Sequence, residues 1–393
     1  MDLNYVKQQS EAIFSDMVAA RRHLHANPEL GGMEYETQKY IMDFLGREGI
    51  QCQKCADTGV LAVVDSGRPG KVVALRGDID ALPLPEEKSC GYRSRNSGIM
   101  HACGHDAHTA INLGCVKFFN DNRQKFNGTM KFFFQPSEET DGGAERMMRD
   151  GCLENPTVDC VLGLHVYPFL EYNQVEVKRG AICASVDAAH ITIRGKGGHG
   201  AYPAECVDAI AIAAQAVSAA QTLVSREISP LDNAVFTVGA IHGGTVPNII
   251  AREVKLAATL RSSGPEVRAK IHRRVREIFT GIAETMGGSA EVNIVDGYPA
   301  VVNHDEVIKI VEDEAAKYLG AENIFHKKNI SMGGEDFSFF IQDTPGAFYN
   351  VGCKSPGAPD YALHINTFDI DERCLKTGFV TQIMSALRIL NGE

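Results

Sequence analysis

Three apolar stretches in the first half of this 393-residue chain have polar residues at or next to their carboxyl ends. They read KVVALRGD (residues 71–78), TMKFFFQ (129–135) and DCVLGLHV (159–166). Stretches of this length and composition predict buried β-strands, and helical patterns over residues 109–122 and 143–150 lie between them. This alternation of strands and helices predicts an α/β layer structure.

Ionisable side chains lie at the ends of all three stretches: Asp78 and Asp80, Glu138 and Glu139, and His165. Open α/β sheets bind ligands at the carboxyl edge of their strands. We therefore expect these side chains to meet at one functional site.

The pattern changes near residue 184. From there to about residue 295, strands and helices follow in the order β-α-β-β-α-β, which predicts a small sandwich of one sheet and two helices. A chain of 393 residues also exceeds what one hydrophobic core usually supports. We therefore predict an inserted domain over residues 185–295 and a discontinuous larger domain over residues 1–184 and 296–393.

The composition narrows the class of partner. A formal net charge of −11 argues against nucleic acid or an anionic membrane, because both bind basic surfaces. No apolar run reaches the roughly 18 residues of a membrane-spanning helix, and no signal-peptide pattern is visible. The 11 cysteines show no framework spacing, so reduced thiols in a cytoplasmic protein are expected.

The segment MHACGHDAH (residues 100–108) holds Cys103 and His105, separated by one glycine. In an extended or turning segment, side chains at i and i+2 point to the same side and can reach one metal ion. An isolated C-x-H is more often a buried cysteine beside a capping histidine. Here the Glu138–Glu139 pair and His165 later in the chain favour the interpretation that Cys103 and His105 are metal ligands.

The adjacent Glu138 and Glu139 diverge at a strand end. One carboxylate can bind a metal ion while the other acts on a neighbouring water, as metal-assisted hydrolysis requires. A Glu-Glu pair is usually a solvated surface element, but this one follows the apolar FFFQP.

Two more histidines extend the set of donors, although a lone histidine near a strand end is more often a core residue than a ligand. One follows the apolar VLGL, and the other follows a loop rich in Pro and Gly. Five donors exceed the needs of one tetrahedral site and suit two ions that share a bridging ligand. The candidates are Cys103, His105, Glu139, His165 and His364.

Motifs along nearly the whole chain are RRHLHANPELGGMEYET, LRGDIDALPL, MHACGHDAHTA, FQPSEE, GLHVYP, GKGGHGAYP, VPNII, SMGGEDF and ALHINTF. In this order and spacing, they resemble the metallo-aminoacylase and carboxypeptidase superfamily. The branch is that of hippurate hydrolases, N-acyl-amino-acid amidohydrolases and indole-acetyl-amino-acid hydrolases. The resemblance implies a mixed-sheet catalytic domain of the zinc-aminopeptidase type, an inserted lid and dimerisation domain, and a homodimer or tetramer. His23 and His25 in the first motif are interpreted as scaffold, and serine instead of alanine at Ser137 is expected to be neutral.

The resemblance also implies a ligand set for two divalent ions. Cys103 is expected to bridge them, Glu139 and His364 to complete one site, and His105 and His165 to complete the other. Thiolate and imidazole donors favour zinc, whereas members of this branch are associated with manganese, cobalt or nickel.

The implied reaction is hydrolysis of an N-acyl-L-amino acid to a carboxylic acid and a free amino acid. A water between the ions is the nucleophile, Glu138 is the general base, and Asp80 orients a ligand histidine. A dipeptidase or carboxypeptidase using the same chemistry is the nearer alternative. A metal-binding relative without catalysis is the more distant one.

The inserted domain and a late loop supply the implied substrate contacts. His199 is expected to reach the active site of the partner subunit and stabilise the oxyanion, with Asn248 as its companion. Arg261 is expected to bind the substrate carboxylate, although a surface arginine at a strand end is an equal alternative. Gly333 and Gly334 are expected to let backbone amides approach the substrate.

Overall fold

The computed structural model describes residues 1–392, and the chain divides into two compact units. The larger unit comprises Met1–Gly180, Val302–Lys328 and the chain from Asp336 onward. The smaller unit comprises Ala181–Val301 and Asn329–Glu335. The smaller unit extends a few residues beyond the predicted 185–295 at both ends. It also includes the 329–335 segment, which the sequence pattern had left in the larger domain.

Residues 1–392 contain eight α-helices: Leu3–Ala26 (α1), Tyr35–Arg47 (α2), His105–Asp121 (α3), Ala144–Arg149 (α4), Ala209–Thr222 (α5), Pro265–Thr285 (α6), Asp305–Leu319 (α7) and Cys374–Leu390 (α8). None of the helices within this described part combines the length and the apolar character needed to span a bilayer.

The same residues form sixteen strands: Gln51–Cys55 (β1), Gly59–Asp65 (β2), Val72–Asp78 (β3), Thr129–Gln135 (β4), Cys160–Glu171 (β5), Val175–Val177 (β6), Gly180–Cys183 (β7), Ser185–Arg194 (β8), Gly198–His199 (β9), Ala234–Gly243 (β10), Ile249–Ile250 (β11), Glu253–Ser262 (β12), Ser289–Asp296 (β13), Val301–Asn303 (β14), Ile324–His326 (β15) and Gly346–Lys354 (β16).

The larger unit is built on an eight-stranded mixed sheet in the order β1-β2-β4-β3-β5-β16-β6-β15. Its centre is parallel, since β3 pairs in parallel with β4 and β5, and β5 with β16. Strands β3 and β4 are buried along their whole length, which explains why they read as apolar runs rather than alternating patterns. Helices α3 and α8 pack against each other and against β3. The predicted α/β class with a mixed sheet is confirmed.

The strand register brings the predicted ionisable residues to one level of this sheet. Asp78, the last residue of β3, lies opposite Gln135, the last residue of β4. On the next strand, Gly163 lies opposite Arg76, so His165 falls at the level of Asp78. The prediction ended this third strand at residue 166, whereas β5 continues to Glu171. His165 therefore lies inside a strand, at the level where β3 and β4 end.

The smaller unit has a four-stranded antiparallel sheet in the order β10-β12-β8-β13. Burial alternates along β12, where Val254, Leu256, Ala258 and Leu260 are buried, so one face of the sheet is packed. Helices α5 and α6 pack against this sheet and against each other. The unit thus has the β-α-β-β-α-β order of a sheet covered by two helices.

Candidate metal centre

Cys103 and His105 are positioned by a tight turn at the start of α3. Gly104 between them has φ 91° and directly precedes the helix, and glycine adopts this left-handed conformation at little cost. A side chain at Gly104 would clash with Val166 of β5, so the turn packs directly on the sheet. The helical pattern predicted a start at residue 109, but α3 begins at His105. The donors therefore belong to a helix N-terminus rather than to an extended segment.

The turn that carries Glu138 and Glu139 follows β4 directly. Ser137 is left-handed, with φ 57°, and its amide donates to Glu34 Oε1 at 2.9 Å. The amide of Glu139 donates to Asp80 Oδ2 at 2.9 Å. Glu138, only 8% exposed, therefore lies between two amides that are each held by a buried carboxylate.

His364 comes from near the end of the chain. It is left-handed, with φ 61°, and its amide donates to the carbonyl of Ala102 at 2.9 Å. A non-glycine residue in this conformation is uncommon, and such residues cluster at functional sites. The hydrogen bond ties the His364 loop to the residue before Cys103.

The sulfur of Cys103 is the common point of the five predicted donors. It lies 3.3 Å from His165 Nε2 and 3.2 Å from His364 Nε2. The donor atoms of Cys103, His105 and His165 lie within 4.8 Å of one another, and so do those of Cys103, Glu139 and His364. The structure thus brings the five residues together as two groups of three that share one sulfur.

Hydrogen bonds fix which nitrogen of each histidine ring faces this site. His105 Nδ1 lies 2.9 Å from the Asp80 carbonyl oxygen and 3.2 Å from its Oδ1, and His165 Nδ1 lies 2.7 Å from the Val166 carbonyl oxygen. These partners are acceptors, so Nδ1 carries a proton and Nε2 is the nitrogen that faces the site. His105 Nε2 is buried without a hydrogen-bond partner among residues 1–392. A buried nitrogen without a hydrogen bond is costly, and a metal ion would satisfy it.

The pKa values of Cys103 and His165 are also consistent with donors that bind metal cations. Burial, together with the Glu139 carboxylate, raises the pKa of the Cys103 thiol well above its usual value. Burial lowers the pKa of His165 to about 3, so this ring is neutral. A buried thiol becomes the thiolate only beside a compensating positive charge. Imidazole rings, a carboxylate and such a thiol form a donor set suited to divalent metal ions.

A buried ion network beneath the donors was not found by sequence reasoning. Arg76 is 1% exposed and donates to Asp78 Oδ2 at 2.6 Å and to Asp336 Oδ1 at 3.0 Å. Asp336 also accepts the amides of Gly143 and Ala144 at the start of α4. An arginine inside an apolar strand requires buried carboxylates, and this was the available signal.

Asp78 continues this network toward the donors. Its Oδ1 accepts from His108 Nδ1 at 2.6 Å, and His108 Nε2 accepts the amide of Val166 at 2.8 Å. His108 is therefore a neutral ring of fixed tautomer that holds the segment of β5 next to His165.

The five residues predicted to contact substrate lie in the smaller unit: His199, Asn248, Arg261, Gly333 and Gly334. His199 is exposed on β9, which pairs with β11. The amide of Gly200 donates to the carbonyl of Asn248 at 2.8 Å. The structure therefore brings the loops of His199 and Asn248 together.

The other three residues have local roles within this unit. Arg261 lies on β12, and burial lowers its pKa. The amide of Gly333 donates to Ser331 Oγ at 3.2 Å. A Cβ at Gly334 would lie 2.5 Å from a methyl of Val186, so packing by itself requires glycine there. Sequence reasoning had attributed both glycines to the approach of a substrate.

The model of the peptidase family M20/M25/M40 matches residues 74–381. The chain belongs to this family. The N-acetyldiaminopimelate deacetylase of Priestia megaterium is 37% identical over 355 residues, covering 89% of this chain and 92% of that protein. The thermostable carboxypeptidase 2 of Saccharolobus solfataricus is 34% identical over 398 residues, covering 100% of both chains.

Among solved structures, a Bacillus subtilis protein described as a dinuclear metal-binding peptidase of family M20 superposes with a TM-score of 0.85. It is 32% identical, and the match covers 97% of this chain and 99% of that chain. The protein is thus a metal-dependent hydrolase of family M20. The predicted superfamily and the predicted class of metallo-amidohydrolase are confirmed.

Proposed function

We propose that this family M20 hydrolase cleaves the amide bond of N-acyl-L-amino acids to a carboxylic acid and a free amino acid. The observation that carries the proposal is the pair of donor groups sharing Cys103 Sγ, with a further carboxylate beside them. Glu138 offers an oxygen within 4.8 Å of donor atoms of His105 and Glu139. The deacetylase among the relatives supports the substrate class.

In this proposal Cys103, Glu139 and His364 would hold one divalent ion, and Cys103, His105 and His165 the other. The bound ions supply Lewis-acid polarisation of the amide carbonyl and of the attacking water. Zinc suits a thiolate and imidazoles best, and manganese, cobalt and nickel are the alternatives.

Glu138 takes the proton of the attacking water and passes it to the departing amine, two steps that one carboxylate can perform in turn. Asp80 keeps the geometry constant, because its carboxyl group contacts the His105 ring and accepts the Glu139 amide. One buried side chain thus holds a ligand ring and the backbone amide of the residue after Glu138.

The smaller unit supplies the remaining contacts in this proposal. His199 donates to the oxyanion in the active site of the partner subunit, and Asn248, on a loop hydrogen-bonded to the His199 loop, contacts the substrate. Arg261 binds the carboxylate of the amino acid, and Gly333 and Gly334 line the substrate-binding loop.

A homodimer through the smaller unit is part of the same proposal. Helix α5 contains no charged residue, and Ile210 on it is 47% exposed. The edge strand β10 likewise has no Asp, Glu, Lys or Arg, and Ile241 on it is 53% exposed. Edge strands of monomers are usually covered or carry charges, so an uncharged edge beside an uncharged helix fits a second copy of the chain.

A substrate panel tests the function. We expect the purified protein to hydrolyse acetyl-, benzoyl- or indole-acetyl-amino acids, to lose activity with a chelator, and to regain it when zinc or manganese is added. Absence of hydrolysis with every added metal would refute the proposal.

A carboxypeptidase or dipeptidase is the second candidate, because a relative identical at 34% of positions is a carboxypeptidase. Including dipeptides and N-blocked peptides in the panel separates the two. Faster cleavage of these peptides than of every acyl-amino acid would favour the second candidate.

A further inference from the structure

The segment between α1 and α2, from the motif PELGGMEYET, packs on both loops that carry the acidic residues of the site. The amide of Ala81 donates to the carbonyl of Glu29 at 2.8 Å, next to Asp80. A Cβ at Gly31 would lie 2.5 Å from Thr140 Oγ1 and 3.2 Å from Ser137 Cα. No role was predicted for this segment from the sequence, but it contacts the turn of Glu138.

Glu34 at the end of this segment is fully buried. Its Oε1 accepts the Ser137 amide at 2.9 Å, and its Oε2 accepts the Thr58 hydroxyl at 2.6 Å. Both partners donate, so the side chain serves as an acceptor on both oxygens. Burying a carboxylate costs free energy, and the Glu34 carboxylate holds the amide of the residue directly before Glu138.

We propose that Glu34 is a positioning residue for the general base Glu138, an inference that rests on the proposed function. Ser137 has φ 57°, a conformation that non-glycine residues hold only when their surroundings impose it. Glu34 imposes it by fixing the Ser137 amide, as Asp80 fixes the Glu139 amide on the other side. The backbone of Glu138 is therefore held from both sides.

This arrangement matters for rate rather than for binding. A general base must lie within hydrogen-bond reach of the proton it removes, and a misplacement of about 1 Å can cost on the order of 10²-fold in rate. Loss of the Glu34 acceptor frees Ser137 to leave its conformation and shifts the Glu138 carboxylate, while the five donors keep their own contacts.

The test compares Glu34→Ala with Glu34→Gln on the most rapidly cleaved substrate of the panel. We expect Glu34→Ala to lower kcat by about 10- to 100-fold, with KM within about threefold and with metal content unchanged. Glu34→Gln keeps an oxygen for the Ser137 amide, and its NH₂ can donate to Thr58, whose hydroxyl rotates. We expect its kcat to stay within about threefold of wild type.

Glu29→Ala is the matched control, because Glu29 is a carboxylate of the same segment. It accepts the amides of Glu36 and Thr37 at the start of α2 and is not hydrogen-bonded to the Glu138 turn. We expect it to lower the melting temperature without lowering kcat. If Glu34→Ala does not fold, the isosteric Thr58→Val, which removes the donor to Oε2, is expected to lower kcat by about 3- to 10-fold.

Equal kcat losses in Glu34→Ala and Glu29→Ala would overturn the inference, and so would a Glu34→Gln variant as slow as Glu34→Ala. If Glu34→Ala does not fold, an unchanged kcat in Thr58→Val would overturn it. The proposed function fails differently. It is refuted if Glu138→Gln retains wild-type turnover, whatever the Glu34 variants do.

Discussion

Asp80 and Glu34 show how single carboxyl groups organise the site. Each is buried, each accepts a backbone amide of the turn around Glu138, and Asp80 also contacts the His105 ring. The candidate donors could be predicted from sequence because each lies in a short motif of unusual composition. Glu34 could not, because its role depends on Ser137, 103 positions later, which no local pattern reveals.

The adjacent glutamates allow a paired prediction at this scale. We expect Glu138→Gln to retain its metal and to lose about 10²- to 10⁴-fold in kcat, the usual contribution of a general base. Glu139→Gln should instead lose metal, because a carboxylate donor is removed. Metal content by mass spectrometry and kcat are measured on the same preparations. Loss of metal in Glu138→Gln, with metal retained in Glu139→Gln, would exchange the roles of the two residues.

Elements depart from their predicted bounds where their partners are distant in sequence. Strand β5 runs on past residue 166 because Tyr167 and Glu171 pair with Gly352 and Lys354 of β16. The start of α3 was predicted late because the segment before residue 109 looked like a ligand loop rather than a first helical turn. The central strands β3 and β4 were predicted within one residue, since continuous apolar burial is visible locally.

The contact between β8 and α6 in the smaller unit gives a prediction for an element pair. Asp187 on β8 accepts from Arg268 at 2.6 and 2.9 Å and lies 2.8 Å from His272 Nε2, both on α6. Burial acts to raise the pKa of Asp187, but the hydrogen bonds with His272 and Arg268 outweigh it and hold the pKa well below its usual value. We expect Asp187→Asn to cost about 2 kcal/mol of stability at pH 7.

The pH dependence of this cost follows from the direction of the shift. A carboxyl group with a lowered folded pKa stabilises the fold fully above its unfolded pKa of about 4, and this stability is lost as the pH falls below that value. The stability difference between wild type and Asp187→Asn, measured by urea unfolding, should therefore shrink as the pH falls below about 4. Asp296→Asn, whose side chain is 74% exposed, is the control and should change stability little at any pH. A difference that grew as the pH fell below about 4 would contradict the assignment.

At the scale of the whole molecule, the division into a larger unit and an inserted smaller unit follows a change of pattern that is visible in the sequence. The short 329–335 segment of the smaller unit could not be assigned, because its partners, including Ala184, lie far away in the chain. The dimer and the cytoplasmic location stay predictions.

Subunit mixing tests whether His199 acts across a dimer. His199→Ala and Glu138→Gln should each be inactive alone. If the partner's His199 completes each site, a mixed dimer has one intact site, and an equal mixture should regain about a quarter of wild-type activity after subunit exchange. No recovery, with mixed dimers verified by mass spectrometry, would show that His199 acts within its own subunit.

The contact between Cys103 and His364 also has a consequence for the synthesis of the protein. The two residues are 261 positions apart, and the whole inserted unit is translated between them. Translation at about 5–20 residues per second delivers His364 tens of seconds after Cys103 at the slower rates. The emerging chain therefore exposes the Cys103 thiol before its shared site is complete. A product truncated ahead of His364 would leave one of the two donor groups without its third member. Full activity would thus report that synthesis reached the last tenth of the chain.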